Sequence, residues 1–239
     1  MISPKASSPV FQAKAEELAK RLELPLGLDA KLYLMVGERL ELREASAKTG
    51  PVYVDFASLL HRPKQGKDLI AKAVGVKGNY RPSVLDATAG LGQDAFILAS
   101  YGCEVRMYER SPVIYALLED GLARAKADKT LADIASKMSL SYGDARLLLP
   151  TLSEKPDVIY LDPMYPDSGK TAAKRKEMRL FRELVGDDLD VQDVVEAALE
   201  TALNRVVLKR PLKAPTFAKP SYTLRGKTVR FDVYVIPKL

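Results

Sequence analysis

Between residues 83 and 209, short apolar runs alternate with helix-favouring segments, and this alternation constrains the fold more than any other feature of the chain. Runs of this length and composition predict buried strands, and each one ends near a glycine, a proline or an acidic residue. Strands that alternate with helices indicate a parallel sheet with helices on both faces. The predicted strands are 83–87, 104–108, 138–142, 158–161 and 205–209, followed by an antiparallel pair at 222–224 and 229–236.

The first 80 residues follow a different pattern and predict a small α+β appendage. Residues 11–22 are rich in Ala, Glu, Lys and Leu and predict a helix. Residues 32–36 and 39–44 predict a hairpin with one solvated face, and 52–56 predict a third strand. We therefore expect two domains, an N-terminal appendage at 1–80 with a basic linker, and a larger domain at 81–239.

A strand, a glycine turn and a helix start occupy residues 84–95. The order Gly90-x-Gly92-x-x-Ala95 matches the dinucleotide-binding fingerprint, and Glu109 follows where an acid would bind a ribose. The same geometry suits the adenosine of S-adenosylmethionine. Asp86 favours S-adenosylmethionine over a dinucleotide, because a carboxylate at this strand end would attract an ammonium group and repel a pyrophosphate.

Acidic residues also follow the later strands. Asp144 comes after the third strand, where it can accept the adenine amino group while the Ala145 N–H donates to the ring; it can equally cap the next helix. Asp162-Pro163-Met164-Tyr165 comes after the fourth strand. There the carboxylate of Asp162 and the carbonyl of Pro163 can orient an exocyclic amine, while Tyr165 stacks on its base. The other interpretation of this stretch is a plain Asp-Pro turn.

Composition limits the partners. The net charge of +6 suits a polyanion without proving one. A single cysteine and a single histidine disfavour a disulfide framework or a zinc site, and they favour a reducing cytoplasm. No apolar run predicts a membrane span, and the N-terminus lacks the pattern of a signal peptide. We expect a cytoplasmic protein that uses no metal.

Several motifs together resemble those of the ribosomal RNA small subunit methyltransferase J family. They are Val54-Asp55-Phe56, Ala71 to Gly75, Asp86 to Ala95, Tyr108-Glu109-Arg110, Tyr160 to Pro166, Lys176 to Arg179 and Val207-x-Lys209-Arg210-Pro211. Met164 replaces the second proline of the general amino-methyltransferase signature. The resemblance extends from about residue 30 to the end.

The resemblance implies a doubly wound, mostly parallel seven-stranded sheet of the class I methyltransferase (Rossmann-like) type. It further implies methyl transfer from S-adenosylmethionine to N2 of a guanine in the 3′-terminal hairpin loop of 16S rRNA, giving N2-methylguanosine. Catalysis is assigned to Asp162, Pro163 and Tyr165. Cofactor binding is assigned to Asp86, Gly90, Gly92, Gln93, Asp94, Glu109, Arg110, Asp144, Ala145 and Asp162.

Basic clusters lie near these motifs and predict contacts with RNA phosphates in 16S rRNA or the small ribosomal subunit. Their members are Arg62, Lys64, Lys170, Lys174, Arg175, Lys176, Arg179, Lys209 and Arg210. A solvated helix face would produce the same pattern of charge.

Two other functions stay open at this point. An NAD-dependent oxidoreductase would explain the glycine motif, but His61, the only histidine, precedes the sheet. A non-catalytic RNA-binding module would explain the basic clusters; loss of methyl transfer in Asp162→Ala would argue against it.

Overall fold

Two β-sheets organise the computed structural model, which describes residues 2–27, 29–45, 50–60, 67–163 and 191–237. The strands are β1 (Ile2–Ala6), β2 (Leu32–Val36), β3 (Leu40–Glu44), β4 (Val84–Asp86), β5 (Val105–Glu109), β6 (Met138–Tyr142), β7 (Val158–Leu161), β8 (Arg205–Pro211), β9 (Tyr222–Arg225) and β10 (Val229–Val235). The α-helices are α1 (Gln12–Arg21), α2 (Ala57–Leu60), α3 (Lys67–Val74), α4 (Gln93–Ser100), α5 (Pro112–Ala127), α6 (Ala132–Ala135), α7 (Ala145–Leu148) and α8 (Val191–Thr201). Short 3-10 turns lie at Pro9–Phe11 and Leu149–Thr151.

The larger sheet has seven strands in the order β6-β5-β4-β7-β8-β10-β9. The first five strands of this order run parallel, while β10 pairs antiparallel with both β8 and β9. This is the sheet expected for the class I methyltransferase type, and the prediction of fold class is confirmed. The strand order reverses between β4 and β7, and a reversal of this kind opens a crevice at the carboxyl ends of the strands.

The central strands are apolar on both faces because helices cover both sides of the sheet. Every residue of β4 and of β7 is buried. α5 begins as the sequence predicts, with Ser111 as its cap and Pro112 in its first turn; the Ser111 hydroxyl accepts from the Ile114 N–H. The predicted helix at 173–185 lies outside the described residues.

The smaller sheet has the order β1-β2-β3, with β1 parallel to β2 and β2 antiparallel to β3. The predicted hairpin is confirmed, but β1 was not predicted, because Ser3-Pro4-Lys5 has little strand propensity. Pro4 is tolerated because β1 lies at the edge of the sheet. The strand predicted at 52–56 is wrong: pairing there is limited to one bridge between Leu42 and Val52.

The segment after this bridge leaves the sheet because its apolar side chains pack on helices of the larger unit. Phe56 stacks on Phe96 of α4, with ring centroids 4.9 Å apart. Val54 packs so close to α5 that a Cβ on Gly121 would lie 2.3 Å from the Cβ of Val54. The Arg124 guanidinium donates to the Val54 carbonyl at 2.7 Å. The apolar cores of the two sheets are continuous, and the division near residue 80 stays a prediction.

Among the helices in the described ranges, none has the length and hydrophobicity needed to cross a bilayer.

Candidate active site

The acidic residues predicted from the sequence gather at the carboxyl edge of the larger sheet. Asp86 ends β4, Glu109 ends β5 and Asp162 directly follows β7. Because β5, β4 and β7 are neighbours, these three carboxylates border the crevice where the strand order reverses. The sequence could place each acid at a strand end, but the order of the strands brings them together.

The glycine loop after β4 depends on two residues in the left-handed region. Gly90 has φ 55° and Gly92 has φ 70°. Gly92 caps α4, so Gln93 and Asp94 occupy the first turn of that helix. A Cβ on Gly92 would lie 2.7 Å from Leu118 Cδ1, whereas one on Gly90 would meet no heavy atom within 4 Å. The loop is therefore packed against the core at Gly92 and open at Gly90.

Glu109 ties this loop to the start of α5. Its Oε2 accepts from the Gly90 N–H at 3.0 Å, and its Oε1 accepts from the Ser111 N–H at 2.7 Å. The side chain is buried, and Arg110 beside it is half-buried. The predicted ribose contact of Glu109 stays a prediction; the observed role of this carboxylate is to shape the loop.

Asp86 is the most buried carboxylate of the crevice, with 2% of its surface exposed. Burial raises its pKa well above the ordinary value, and the negative charges of Asp94 and Asp162 act in the same direction. The Thr88 N–H, which donates to Asp86 Oδ1 at 3.1 Å, and the Lys209 ammonium oppose this rise. A carboxyl group in this environment favours either a bound proton or a cationic ligand.

Asp144 caps α7, as one of the two interpretations predicted. Its carboxylate accepts from the Arg146 N–H at 2.9 Å, and its Oδ2 accepts from Arg146 Nη2 at 2.5 Å. The side-chain hydrogen bond from Arg146 holds the pKa of Asp144 below its ordinary value, although burial opposes this. Ala145 is buried in the first position of the helix. The adenine contact predicted for Asp144 and Ala145 stays a prediction.

A half-buried lysine connects the glycine-loop helix to the Asp-Pro motif. Lys209 Nζ lies 2.6 Å from Asp94 Oδ2 and 2.7 Å from Asp162 Oδ2, and the side chain is only 15% exposed. The Tyr160 hydroxyl donates to the same Asp94 oxygen at 2.6 Å. Burial alone would lower the pKa of Lys209, but the two carboxylates outweigh it and hold this pKa above its ordinary value.

This arrangement concerns two of the residues predicted to contact RNA. Lys209 faces Asp94 and Asp162 instead of solvent, and Arg210 is 7% exposed. These positions give no support to the phosphate contacts of Lys209 and Arg210, which stay predictions. The cause is the register of the folded sheet: Leu161 pairs with Leu208, so Asp162 and Lys209 follow side by side.

The remaining predicted residues divide into two groups. Pro163 is buried next to Asp162 at the edge of the described residues. Several others lie outside the described residues, and their assignments stay predictions: Tyr165, Arg62, Lys64, Lys170, Lys174, Arg175, Lys176 and Arg179.

Comparison with known proteins agrees with this geometry. The family model described as "Putative SAM-dependent methyltransferase" matches residues 17–236. A Stutzerimonas stutzeri protein named "Ribosomal RNA small subunit methyltransferase J" is 52% identical over 244 residues, covering 97% of this chain and 94% of the relative. The protein of the same name from Thioalkalivibrio sulfidiphilus is 48% identical, covering 98% of this chain and 97% of the relative.

A solved structure is also similar over nearly the whole chain. The crystal structure of a SAM-dependent methyltransferase from Neisseria gonorrhoeae is 35% identical, with a TM-score of 0.78, and the match covers 98% of this chain and 95% of that one. These matches favour the S-adenosylmethionine interpretation of the glycine loop over the NAD interpretation. They also confirm the resemblance found in the sequence: the chain belongs to the ribosomal RNA small subunit methyltransferase J family of S-adenosylmethionine-dependent methyltransferases.

Proposed function

We propose that this protein transfers a methyl group from S-adenosylmethionine to the exocyclic N2 of a guanine in 16S ribosomal RNA. The names of relatives about 50% identical support ribosomal RNA of the small subunit as the substrate. The choice of N2 follows from the family resemblance. The observation that carries the chemistry is the position of Asp162, which is held by Thr88 and Lys209 in a crevice lined by carboxylates.

The residues after β4 and β5 fit S-adenosylmethionine by the chemistry of their donor set. An ammonium group beside Asp86 would satisfy a carboxylate whose burial otherwise disfavours its charge. We assign the ribose hydroxyls to Glu109, at the end of the next strand. The loop is open beside Gly90, where a Cβ would meet no heavy atom within 4 Å. A pyrophosphate at the same place would be repelled by these acids.

S-adenosylmethionine supplies a methyl group already activated by its sulfonium, so this chain has mainly to position the attacking amine. The lone pair of an exocyclic guanine amine is conjugated with the ring and is a weak nucleophile. The Asp162 carboxylate and the Pro163 carbonyl can accept its two hydrogens and turn the lone pair toward the methyl. Tyr165 is predicted to stack on the base.

Lys209 and Thr88 are positioning residues in this mechanism. The Lys209 ammonium occupies one oxygen, Oδ2, of Asp162 and fixes the orientation of the carboxylate. The Thr88 hydroxyl accepts from the Asp162 N–H and fixes the backbone at the start of the turn. Asp162 then acts as a hydrogen-bond acceptor. A role as general base is not required, since the amine can lose its proton after methyl transfer.

The experiment uses tritiated S-adenosylmethionine and small ribosomal subunits, or naked 16S rRNA, from cells that lack this methylation. We expect label in N2-methylguanosine after digestion to nucleosides. Asp162→Ala should lower the rate by about 100-fold or more, because it removes an acceptor used in orienting the amine. The matched control is Asp133→Ala, at an exposed position in α6. Label in another nucleoside, or full activity of Asp162→Ala, would contradict the proposal.

A further inference from the structure

The smaller sheet presents cations and tyrosines on the surface that faces away from its apolar core. We call this surface the outer face and define it by Lys5, Tyr33, Met35, Arg39, Arg43 and Tyr53. Side chains of directly paired residues lie on the same side of a sheet. Tyr33 pairs with Arg43, and Met35 pairs with Lys5 on one side and with Glu41 on the other. Register therefore gathers residues from three strands into one surface.

Two arginines of the outer face are held in place by one buried carboxylate. Glu41 is 6% exposed. Its Oε1 accepts from Arg39 Nε at 2.7 Å, and its Oε2 accepts from Arg43 Nε at 2.7 Å. Burial opposes ionisation of Glu41, but its hydrogen bonds with both arginines outweigh this and hold its pKa below the ordinary value. The two arginine side chains remain 42% and 48% exposed, so their outer N–H groups face solvent.

The tyrosines of the outer face are paired with its cations. The Arg39 guanidinium lies 3.6 Å from the centroid of the Tyr53 ring, and Lys5 Nζ lies 5.3 Å from the centroid of Tyr33. Both tyrosines are half-buried, so each residue keeps part of its surface exposed. A planar guanidinium or tyrosine ring offers a stacking surface to a nucleobase, and an ammonium beside it suits a phosphate.

The outer face is connected to the cofactor loop by a short stretch of chain. Phe56 follows Tyr53 by three residues and lies 3.3 Å from the position that a Cβ on Gly92 would take. Three residues of extended backbone span at most about 11 Å. The outer face is therefore joined, through residues 53–56, to the side of the glycine loop that packs on the core.

From these contacts we infer that the outer face binds single-stranded RNA, with phosphates on Lys5, Arg39 and Arg43 and bases stacked on Tyr33 and Tyr53. The inference rests on the proposed function, which supplies RNA as the substrate. Arg39 and Arg43 flank one buried carboxylate, Glu41, and Lys5 lies on the same face, so these four groups together carry an excess of positive charge. Alternating cations and aromatic rings are typical of surfaces that bind single strands without reading sequence.

The test measures the affinity of each variant for a fluorescein-labelled RNA hairpin with a single-stranded loop, by anisotropy over a range of salt concentrations. Lys5→Gln removes one exposed cation. Glu41→Gln combined with Arg43→Gln removes a guanidinium while the net charge of the chain stays the same. Tyr33→Leu keeps an apolar side chain but removes the ring. The control is Lys129→Gln, at an exposed position after α5.

We expect Lys5→Gln and the Glu41→Gln, Arg43→Gln double variant to weaken binding about threefold or more, and each to reduce the salt slope by about 0.7. Tyr33→Leu should weaken binding about fivefold or more. Lys129→Gln should bind like the parent. If the outer-face variants bind RNA as tightly as the parent, or if Lys129→Gln loses as much affinity as they do, the inference is wrong.

A second measurement separates this inference from the proposed function. For variants of the outer face, we expect an unchanged affinity for S-adenosylmethionine and a raised KM for RNA with an unchanged kcat. If the parent methylates RNA and the variants keep its KM, the outer face is not an RNA site although the proposed function holds. If the parent binds the hairpin through the outer face but methylates no RNA, the proposed function fails and this inference stands.

Discussion

The backbone N–H of Asp162 donates a 2.7 Å hydrogen bond to the hydroxyl oxygen of Thr88. The bond joins the turn after β7, proposed to hold the target amine, to the loop after β4, proposed to hold the cofactor. Two reacting groups bound to separate loops stay aligned only if the loops keep their relative position. Thr88 Oγ1 supplies this link across the crevice.

Replacing Thr88 by valine keeps the shape of the side chain and removes the acceptor. The Asp162 N–H then lacks its partner, which costs about 1–3 kcal/mol. We expect the methyl-transfer rate under single-turnover conditions to fall about tenfold, with little change in cofactor affinity. Thr88→Ser retains the hydroxyl and should keep most of the rate. Equal losses in the two variants would mean that packing, and not the hydrogen bond, is responsible.

Replacing Lys209 by methionine leaves Asp94 and Asp162 near each other without their shared cation. Removing one partner of a buried ion pair typically costs about 3–5 kcal/mol. We expect a smaller loss here, about 2–3 kcal/mol in the free energy of unfolding. The Asp162 side chain is 37% exposed, so solvent screens part of the repulsion between the two carboxylates. Urea denaturation measures this loss, and methyl-transfer assays should show a lower kcat.

The matched control for this substitution is Lys213→Met, at an exposed position after β8. It should leave both stability and kcat unchanged. If Lys209→Met instead reduces RNA affinity and leaves stability and kcat intact, the side chain acts on phosphates, as the sequence originally predicted.

Asp86→Asn tests the buried carboxyl group. The pKa of Asp86 in the folded protein lies well above its ordinary value of 3.8. The contribution of Asp86 to stability is therefore fully present below that ordinary value and is lost as pH rises through the folded-state pKa. Asparagine carries no charge and can still accept from the Thr88 N–H, so the variant should gain stability relative to the parent as pH rises.

We expect the Tm difference between Asp86→Asn and the parent to be larger at pH 8 than at pH 5, by about 2–4 °C for each kcal/mol gained. Affinity for S-adenosylmethionine, measured by calorimetry, should fall because an ammonium group loses its counter-charge. An equal Tm difference at the two pH values would show that ionisation of Asp86 has no part in the effect.

Gly90→Ala and Gly92→Ala form a matched pair, because both glycines have positive φ but differ in their neighbours. Each substitution incurs about 1–2 kcal/mol of backbone strain. At Gly92 the new methyl group also overlaps Leu118 Cδ1, so this variant should lose more stability in thermal denaturation. At Gly90 the methyl enters open space, so this variant should mainly lose cofactor affinity. If Gly92→Ala instead lost more cofactor affinity than Gly90→Ala, the cofactor would not lie beside Gly90.

Register and topology account for what sequence patterns missed. Lys209 belongs to a basic cluster in the sequence, yet pairing of Leu161 with Leu208 places it beside Asp162, inside the sheet. Val52–Phe56 has the composition of a strand, yet Phe56 packs on Phe96 of α4. In both cases a partner distant in sequence decided the outcome, and local propensity carries no information about such partners.

The alternation of strands and helices, the glycine loop, the acids at the strand ends and the family could all be predicted from the order of the residues. These features depend on periodicity, on turn chemistry and on residues close together in the chain. Three contacts emerged from the folded structure alone: Lys209 joins Asp94 to Asp162, Thr88 accepts from the Asp162 N–H, and Glu41 orients Arg39 and Arg43 beside Tyr53. The physical reason is that ion pairs and hydrogen bonds of a few ångströms depend on strand order and register, which the chain sets only when it folds.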